Sequence, residues 1–354
     1  MSKELKVRIK DIANRAGVSA GTVDRVIHNR GEVSDKTRKR VIGILKELHY
    51  EPDILARTLA SRNPLKVAVL IPFHTPENWF WKKPLSGIYD ACSELDHFKI
   101  EVREFLYDQF RKQDFIEKAG KVLSYIPDAV IAAPVYFQET IDFFNRCEKS
   151  GIPFISVNDN IIHPGQLSYV GQDSRSSGRV AAQLIDFAVR GDSRILVVSI
   201  AMDKDNYSHI LRREEGFREY WENSSKSQDV EIIPLSLAKD SYPYIKRALT
   251  ETFQRYARIA GIFVTNSRVY QVAKYLQHTS RQKISLVGYD LINPNIKYLN
   301  NGVIDFLISQ KPHEQGYKAL VTVFNTLKMN KEPSPEQLIS IDIICRENLC
   351  FYQV

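Results

Sequence analysis

The feature that most constrains this chain is an alternation. Beyond Asn63-Pro64, short apolar runs recur, LKVAVLI, HFKIEVREF, AVIAAP, PFISV, RILVVSI, DVEIIPL, GIFVT and KISLVGY, separated by amphipathic stretches of helical length. Strands apolar on both faces and joined through helices predict a parallel sheet covered on both sides, because a parallel crossover needs a dozen or more residues. The runs form two similar series, roughly Lys66 to Val157 and Arg194 to Tyr289. That is more than one doubly wound domain holds, so two α/β lobes are expected.

The first sixty residues read differently. Ile9, Ile12, Ala13 and Ala16 share one helical face, Gly17-Val18 allows a sharp turn, and Ser19 suits an N-cap. A second short helix, from about Ala20 to His28, turns Val23, Val26 and Ile27 inward and leaves Thr22, Arg25 and His28 to other surfaces. A third begins after Gly31, capped by Ser34, with Asp35 at the positive end of its dipole and Val41, Ile44, Leu45 and Leu48 repeating inward; Pro52 ends or follows it. Three helices in under fifty residues make a small core whose middle helix can enter a major groove.

Charge separates the same two regions. Residues 1–62 hold 14 Lys and Arg against 8 Asp and Glu, whereas residues 63–354 hold 35 against 34, so nearly all of the net +7 sits at the front. A basic module on a near-neutral body points to a polyanionic partner met by that module, since a merely solvated surface would spread the charge.

Other classes are set aside. An ordinary balance of 44% hydrophobic and 26% charged residues excludes disordered and fibrous chains. The N-terminus leads into charge and no apolar run approaches spanning length, so a soluble cytoplasmic protein without a membrane partner is expected. Cys92, Cys147, Cys345 and Cys350 lack paired spacing and a nearby histidine set, so neither a disulfide framework, a metal site nor a cofactor is expected. No P-loop, GxSxG, HExxH or GxGxxG occurs and the eight histidines are scattered; no catalytic residue is assigned and an enzyme is not expected.

The run IKDIANRAGVSAGTVDRVIHNRGEVSDKTRKRVIGILKELHYEPDILARTLAS resembles the DNA-binding headpiece and hinge of the lactose-repressor (LacI/GalR-type) family. The match is ungapped from Val7 to Ser61 through DIAxxAGVSxxTVxRV, VSxxTRxRV and LxYxPDxLAR. The resemblance implies a recognition helix that Ser19 precedes and Ala20, Gly21 and Thr22 begin, from which Arg25 projects and which His28 and Asn29 follow. Base-edge hydrogen bonds would then come mostly from Thr22, Arg25 and His28, while the small residues permit close approach; Thr22 could instead serve a local backbone partner. Asp24 departs from the usual serine of the family, and a carboxylate near phosphates is repelled unless paired.

The segment Asp53 to Ala60 is too short to be a stable helix alone. In the family it is the hinge helix, which forms when two copies meet in the minor groove and drive a leucine, here Leu59, between base pairs, with Ala56 and Ala60 allowing close approach. A plain linker helix with Leu59 packed on the larger domain is the alternative.

The larger part resembles the periplasmic sugar-binding-protein fold (type I) that the family joins to its headpiece, through YVGQDSRSSGRVAAQLI, LRREEGF, FVTNS, LVGYD and LISQKPHEQGYKAL. That resemblance implies effector contacts from Arg213, Asn266, Asp290 and Gln310, whose donors and acceptors suit hydroxyl groups. Of the aromatic residues Phe73, Trp79, Phe80 and Trp81, it favours Phe80 and Trp81 as rings against a ligand. Asn158 and Asp159, near a strand end, are further cleft candidates; PVYFQET lacks the acidic residue some sugar binders carry there.

The expected fold is α/β: a helix-turn-helix headpiece over residues 1–52, a hinge helix and linker over 53–64, and a two-lobed effector-binding and dimerisation domain with parallel sheets over 65–354. The expected function is that of a homodimeric transcriptional regulator, in the repressing sense, which binds double-stranded operator DNA and answers a small carbohydrate-like effector. A nucleobase-type corepressor, a sugar-binding receptor and an enzyme using the cleft remain the alternatives, and inducer versus corepressor stays open.

Overall fold

In the computed structural model, which describes residues 7–27, 31, 33–48, 50, 63–74, 79–188, 193–201, 208–226, 228–279, 281 and 284–352, contacts divide the chain into two units, Met1–Ala60 and Ser61–Val354. The first contains α1 (Ile9–Ala16), α2 (Ala20–Ile27) and α3 (Asp35–Glu47). Gly17 takes the left-handed conformation (φ 61°) that ends α1, and the N–H of Val18 returns to the Ala13 carbonyl at 3.0 Å. Ser19 Oγ accepts the Thr22 N–H at 3.1 Å, and Ser34 Oγ accepts that of Thr37 at 3.4 Å, as N-cap positions require. Ile12, Ala13, Ala16, Val23, Val26 and Val41 form the core. Ile9, Ile27, Ile44, Leu45 and Leu48, expected inward, pack around it only half-buried, because so small a domain lacks the chain to cover them. His28, Asn29, Pro52 and the segment 53–60 with Ala56 and Leu59 lie outside the described residues.

The second unit contains two sheets of six strands. In chain order its elements are β1 (Leu65–Pro72), α4 (Lys82–Glu94), β2 (Ile100–Tyr107), α5 (Lys112–Tyr125), β3 (Ala129–Ala132), α6 (Phe137–Lys149), β4 (Phe154–Val157) and β5 (Gln166–Gly171). There follow α7 (Ser174–Asp186), β6 (Ser193–Ile200), α8 (Ser208–Glu222), β7 (Val230–Leu237), α9 (Tyr242–Arg255), β8 (Ile259–Val264), α10 (Val269–His278) and β9 (Ser285–Tyr289). The chain closes with α11 (Asn293–Asn300), β10 (Phe306–Ser309), α12 (Pro312–Met329), β11 (Glu336–Leu338) and β12 (Asp342–Ile344).

Lobe 1 has the strand order β11-β5-β4-β3-β1-β2 and lobe 2 the order β12-β10-β9-β8-β6-β7. Each strand-like run of the sequence lies in a strand; β5, β10, β11 and β12 are additional. Pairing is parallel except for β12, which runs antiparallel to β10. No helix lies between β11 and β12: the chain steps directly from one lobe to the other and so enters the second sheet in the opposite direction.

The chain crosses between lobes three times, at Gln172-Asp173, at Gln310-Lys311 and at Ile339-Ser340-Ile341. Separate apolar clusters fill each side of each sheet, among them Val67, Val69 and Ile131 in lobe 1 and Leu196, Val198 and Ile262 in lobe 2. Among the described residues, no helix is long and apolar enough to cross a membrane, and no group of His, Cys, Asp and Glu is arranged to hold a metal ion.

Candidate functional site

The carboxyl ends of both sheets converge on one cleft. Gln109 follows β2, Asn158 follows β4, Asp240 follows β7, Asn266 follows β8, Asp290 follows β9 and Gln310 follows β10; all line it, together with Arg213 from α8 and Phe80, Trp81 and Phe110. This is where an open α/β sheet leaves room for a ligand. The space between the lobes there is only about 80 Å³, well under the ~300 Å³ of small-molecule sites. The lobes must part for a ligand to enter.

Lobe 2 supplies a charged network. Arg213 is fully buried: Nη1 donates to the Thr265 carbonyl at 2.8 Å, Nη2 donates to Gln310 Oε1 at 2.6 Å, and the guanidinium lies 3.7 Å from the Tyr289 ring centre. Gln310 Nε2 in turn donates to both Asp290 oxygens, at 2.9 and 3.1 Å. The helix bearing Arg213 approaches α7 closely because Gly178 has no side chain: a Cβ there would lie 2.0 Å from the Arg213 carbonyl oxygen. Burial pushes the Asp290 carboxyl up to about 6, against the pull of the Arg213 charge and the Gln310 hydrogen bonds.

Two non-glycine residues beside the cleft hold left-handed backbone, Asn158 (φ 70°) after β4 and Asp290 (φ 71°) after β9. Such geometry turns the chain sharply off a strand end and aims the next groups into the gap. Two buried polar atoms on lining residues have no hydrogen-bond partner among the described residues: the donor Arg213 Nε and the acceptor Asn158 Oδ1, one from each lobe.

Lobe 1 supplies rings. Phe80 and Trp81 are buried edge to face with centroids 4.9 Å apart, and Trp81 Nε1 donates to Gln109 Oε1 at 3.4 Å. Phe110 faces the Arg268 guanidinium of lobe 2 at 5.9 Å, and Arg268 is itself ion-paired with Asp240.

Asp159 does not lie where the sequence suggested. It is absent from the cleft lining; its carboxylate accepts hydrogen bonds across the lobes from Ser208 Oγ and from His209 Nδ1, the latter at 2.9 Å. Burial raises its proton affinity, but His209 and the hydroxyl and backbone donors overcome this and hold it below the usual carboxylate range. The physical reason is the chain path: Asn158 turns inward, so its neighbour points at the start of α8. Asn266 lines the cleft, yet its Nδ2 donates to the Ile200 carbonyl at 2.7 Å and its Oδ1 accepts the Arg268 N–H at 3.2 Å, so it also shapes the loop.

Residues 67–332 match the periplasmic binding protein domain family, and residues 8–53 match the lacI family of bacterial regulatory proteins. The chain belongs to the LacI family. The HTH-type transcriptional regulator MalR of Streptococcus pneumoniae is 25% identical to it over 345 residues, which is 96% of this chain and 99% of MalR. The sucrose operon repressor of Pediococcus pentosaceus is 26% identical over 295 residues, covering 81% and 82%. A crystal structure from Bacteroides fragilis, described as a LacI transcriptional regulator, superposes with a TM-score of 0.75 at 28% identity, over 82% of this chain and 100% of the other.

In this LacI-family headpiece Ser19, Ala20, Gly21 and Arg25 are exposed, as groove contacts must be, and Thr22 is half-buried. The Thr22 hydroxyl lies 2.9 Å from that of Ser19, so it has a local partner before any DNA is met. Sequence reading missed Gln109, Phe110, His209, Asp240 and Arg268 in the cleft. Their only signal was position: four of the five follow the carboxyl end of a strand.

Proposed function

We propose that this regulator is a homodimeric repressor that reads two operator half-sites with α2 and is switched by a polyhydroxylated effector, a carbohydrate or close derivative, held between the lobes. The observation that carries the effector reading is Arg213: a fully buried guanidinium, linked through Gln310 to Asp290, whose own Nε has no partner among the described residues, as Asn158 Oδ1 on the other wall of the same cleft has none. A hydroxyl donates and accepts at once, so a sugar supplies what both atoms lack. Phe80 and Trp81 offer apolar faces for its C–H surface. The family membership and a relative named for a sucrose operon support the same class.

The switch is a linkage. An effector that binds one lobe arrangement better than another shifts the lobes by that difference in free energy, and the headpieces' affinity for DNA changes with them. The role of Leu59 and Ala56 at a minor-groove hinge belongs to the same proposal, as do the groove contacts of Arg25, His28 and Asn29.

The test is a thermal-shift series with monosaccharides, oligosaccharides, sugar acids and purines, followed by operator binding with each stabilising compound. A ligand at a hundred times its Kd stabilises the native state by ~2.7 kcal/mol. A carbohydrate that raises Tm and alters operator affinity is the expected result. Stabilisation by purines alone would replace the effector class, and a dimer-free protein with no preference for any genomic fragment would remove the regulator.

A further inference from the structure

The cleft can fill only if the lobes part, and any change of angle between them is taken up at the three connections. One side chain touches all three. Gln172, 3% exposed, belongs to the first; its Nε2 donates to the carbonyl of Ser309 at the second (3.1 Å) and to that of Ser340 in the third (3.3 Å). Its backbone is fixed on both sides, since the Gly171 carbonyl accepts the Ile339 N–H at 2.7 Å and the Tyr169 hydroxyl donates to the Gln172 carbonyl at 3.0 Å.

The other end of the amide behaves differently. Gln172 Oε1 is buried with no hydrogen-bond partner among the described residues. An apolar side chain of similar length would fill this space without leaving an oxygen unpaired, and replacing polar groups by apolar ones of the same shape is often neutral or stabilising. Filling space therefore does not account for an amide here. Its two donated bonds do: both hydrogens of one nitrogen reach carbonyls on separate connections, and hydrogen bonds weaken steeply with distance and angle, so the two carbonyls cannot move apart without losing one bond.

We propose that Gln172 is a positioning residue, a tie across the three connections that sets the angle between the lobes and thereby how readily the cleft opens. It is not among the residues that line the cleft. The proposal holds whatever the cleft binds, and its test needs no effector, so its failure is distinguishable from failure of the repressor reading.

The experiment is hydrogen–deuterium exchange on the full chain without ligand, comparing the wild type with Gln172→Met, which keeps length and removes both donors, and Gln172→Glu, which sets a carboxylate against two carbonyls. Loss of two ordinary hydrogen bonds predicts exchange about tenfold faster in segments 168–174, 307–312 and 337–342 of the Met variant, and more in the Glu variant. Exchange in the interiors of β1, β6 and β8 stays within about twofold. A merely structural role would raise exchange throughout both lobes, and that pattern, or unchanged exchange at the three segments in the Met variant, overturns the proposal. Should the Glu variant fail to fold, the Met variant decides alone.

Discussion

The two lobes share a strand order and differ in what they bring to the cleft. Lobe 2 presents a prearranged polar network, Arg213 to Gln310 to Asp290, locked by a helix crossing that depends on Gly178. Lobe 1 presents rings, Phe80, Trp81 and Phe110, with Gln109 and Asn158 as polar groups beside them. Under the proposed function the difference is a division of labour: lobe 2 recognises the effector through fixed hydrogen bonds, and lobe 1 covers it and excludes water.

The sharpest way to break this comparison is Arg213→Ala. It strips the donor from Gln310 Oε1 and the Thr265 carbonyl and leaves Asp290 buried without its opposing charge. The expected cost is about 3–5 kcal/mol of stability, with loss of the effector response, measured by urea unfolding and operator titration. A normal response would show that the network is not the recognition element.

Asp290→Asn sharpens the comparison through pH. Below the ordinary value of 3.8 the carboxyl is protonated in folded and unfolded chains alike. Between 3.8 and about 6 the unfolded chain releases a proton that the folded protein keeps, so stability falls as pH rises through that window and is lowest above it. Asparagine does not titrate and tolerates the left-handed backbone, so the variant should gain on the order of 2–3 kcal/mol relative to wild type at pH 8 and nothing near pH 4. Thermal unfolding at both pH values checks this; a pH-independent difference would place the effect elsewhere.

Phe110→Ala carries the smallest expected effect. The ring is 47% exposed, so stability should change by no more than ~0.5 kcal/mol, while effector affinity falls a few-fold as the lid over Arg268 is lost. Isothermal titration with the ligand found by thermal shift measures it. A loss as large as that of Arg213→Ala would mean that lobe 1 recognises rather than covers.

Much of the fold was legible because its signals are local. The period of Ile12, Ala13 and Ala16, the cap at Ser34 and the β-branched runs each state their own structure within a dozen residues. β11 and β12 were not, being three residues each and formed only because the chain steps between lobes. In the site, Arg213, Asp290, Gln310, Asn158, Phe80 and Trp81 do meet, whereas Asp159 faces α8 instead, because a single left-handed residue before it decides which way the chain turns. Asp240 and Arg268 carry no signal of their own in the sequence and become an ion pair of the cleft only where the strand ends come together.

From its order of residues alone, the chain declared a basic helical reader and a pair of α/β lobes, since periodicity, caps and charge act over short distances, while its candidate cleft residues came from its resemblance to the family. Only the tertiary structure decided which of those residues share the cleft, how Arg213 is held by its neighbours, and that one amide at Gln172 spans all three lobe connections. Those facts depend on groups as far apart in the chain as Phe80 and Gln310, whose proximity is set by packing and not by any local preference.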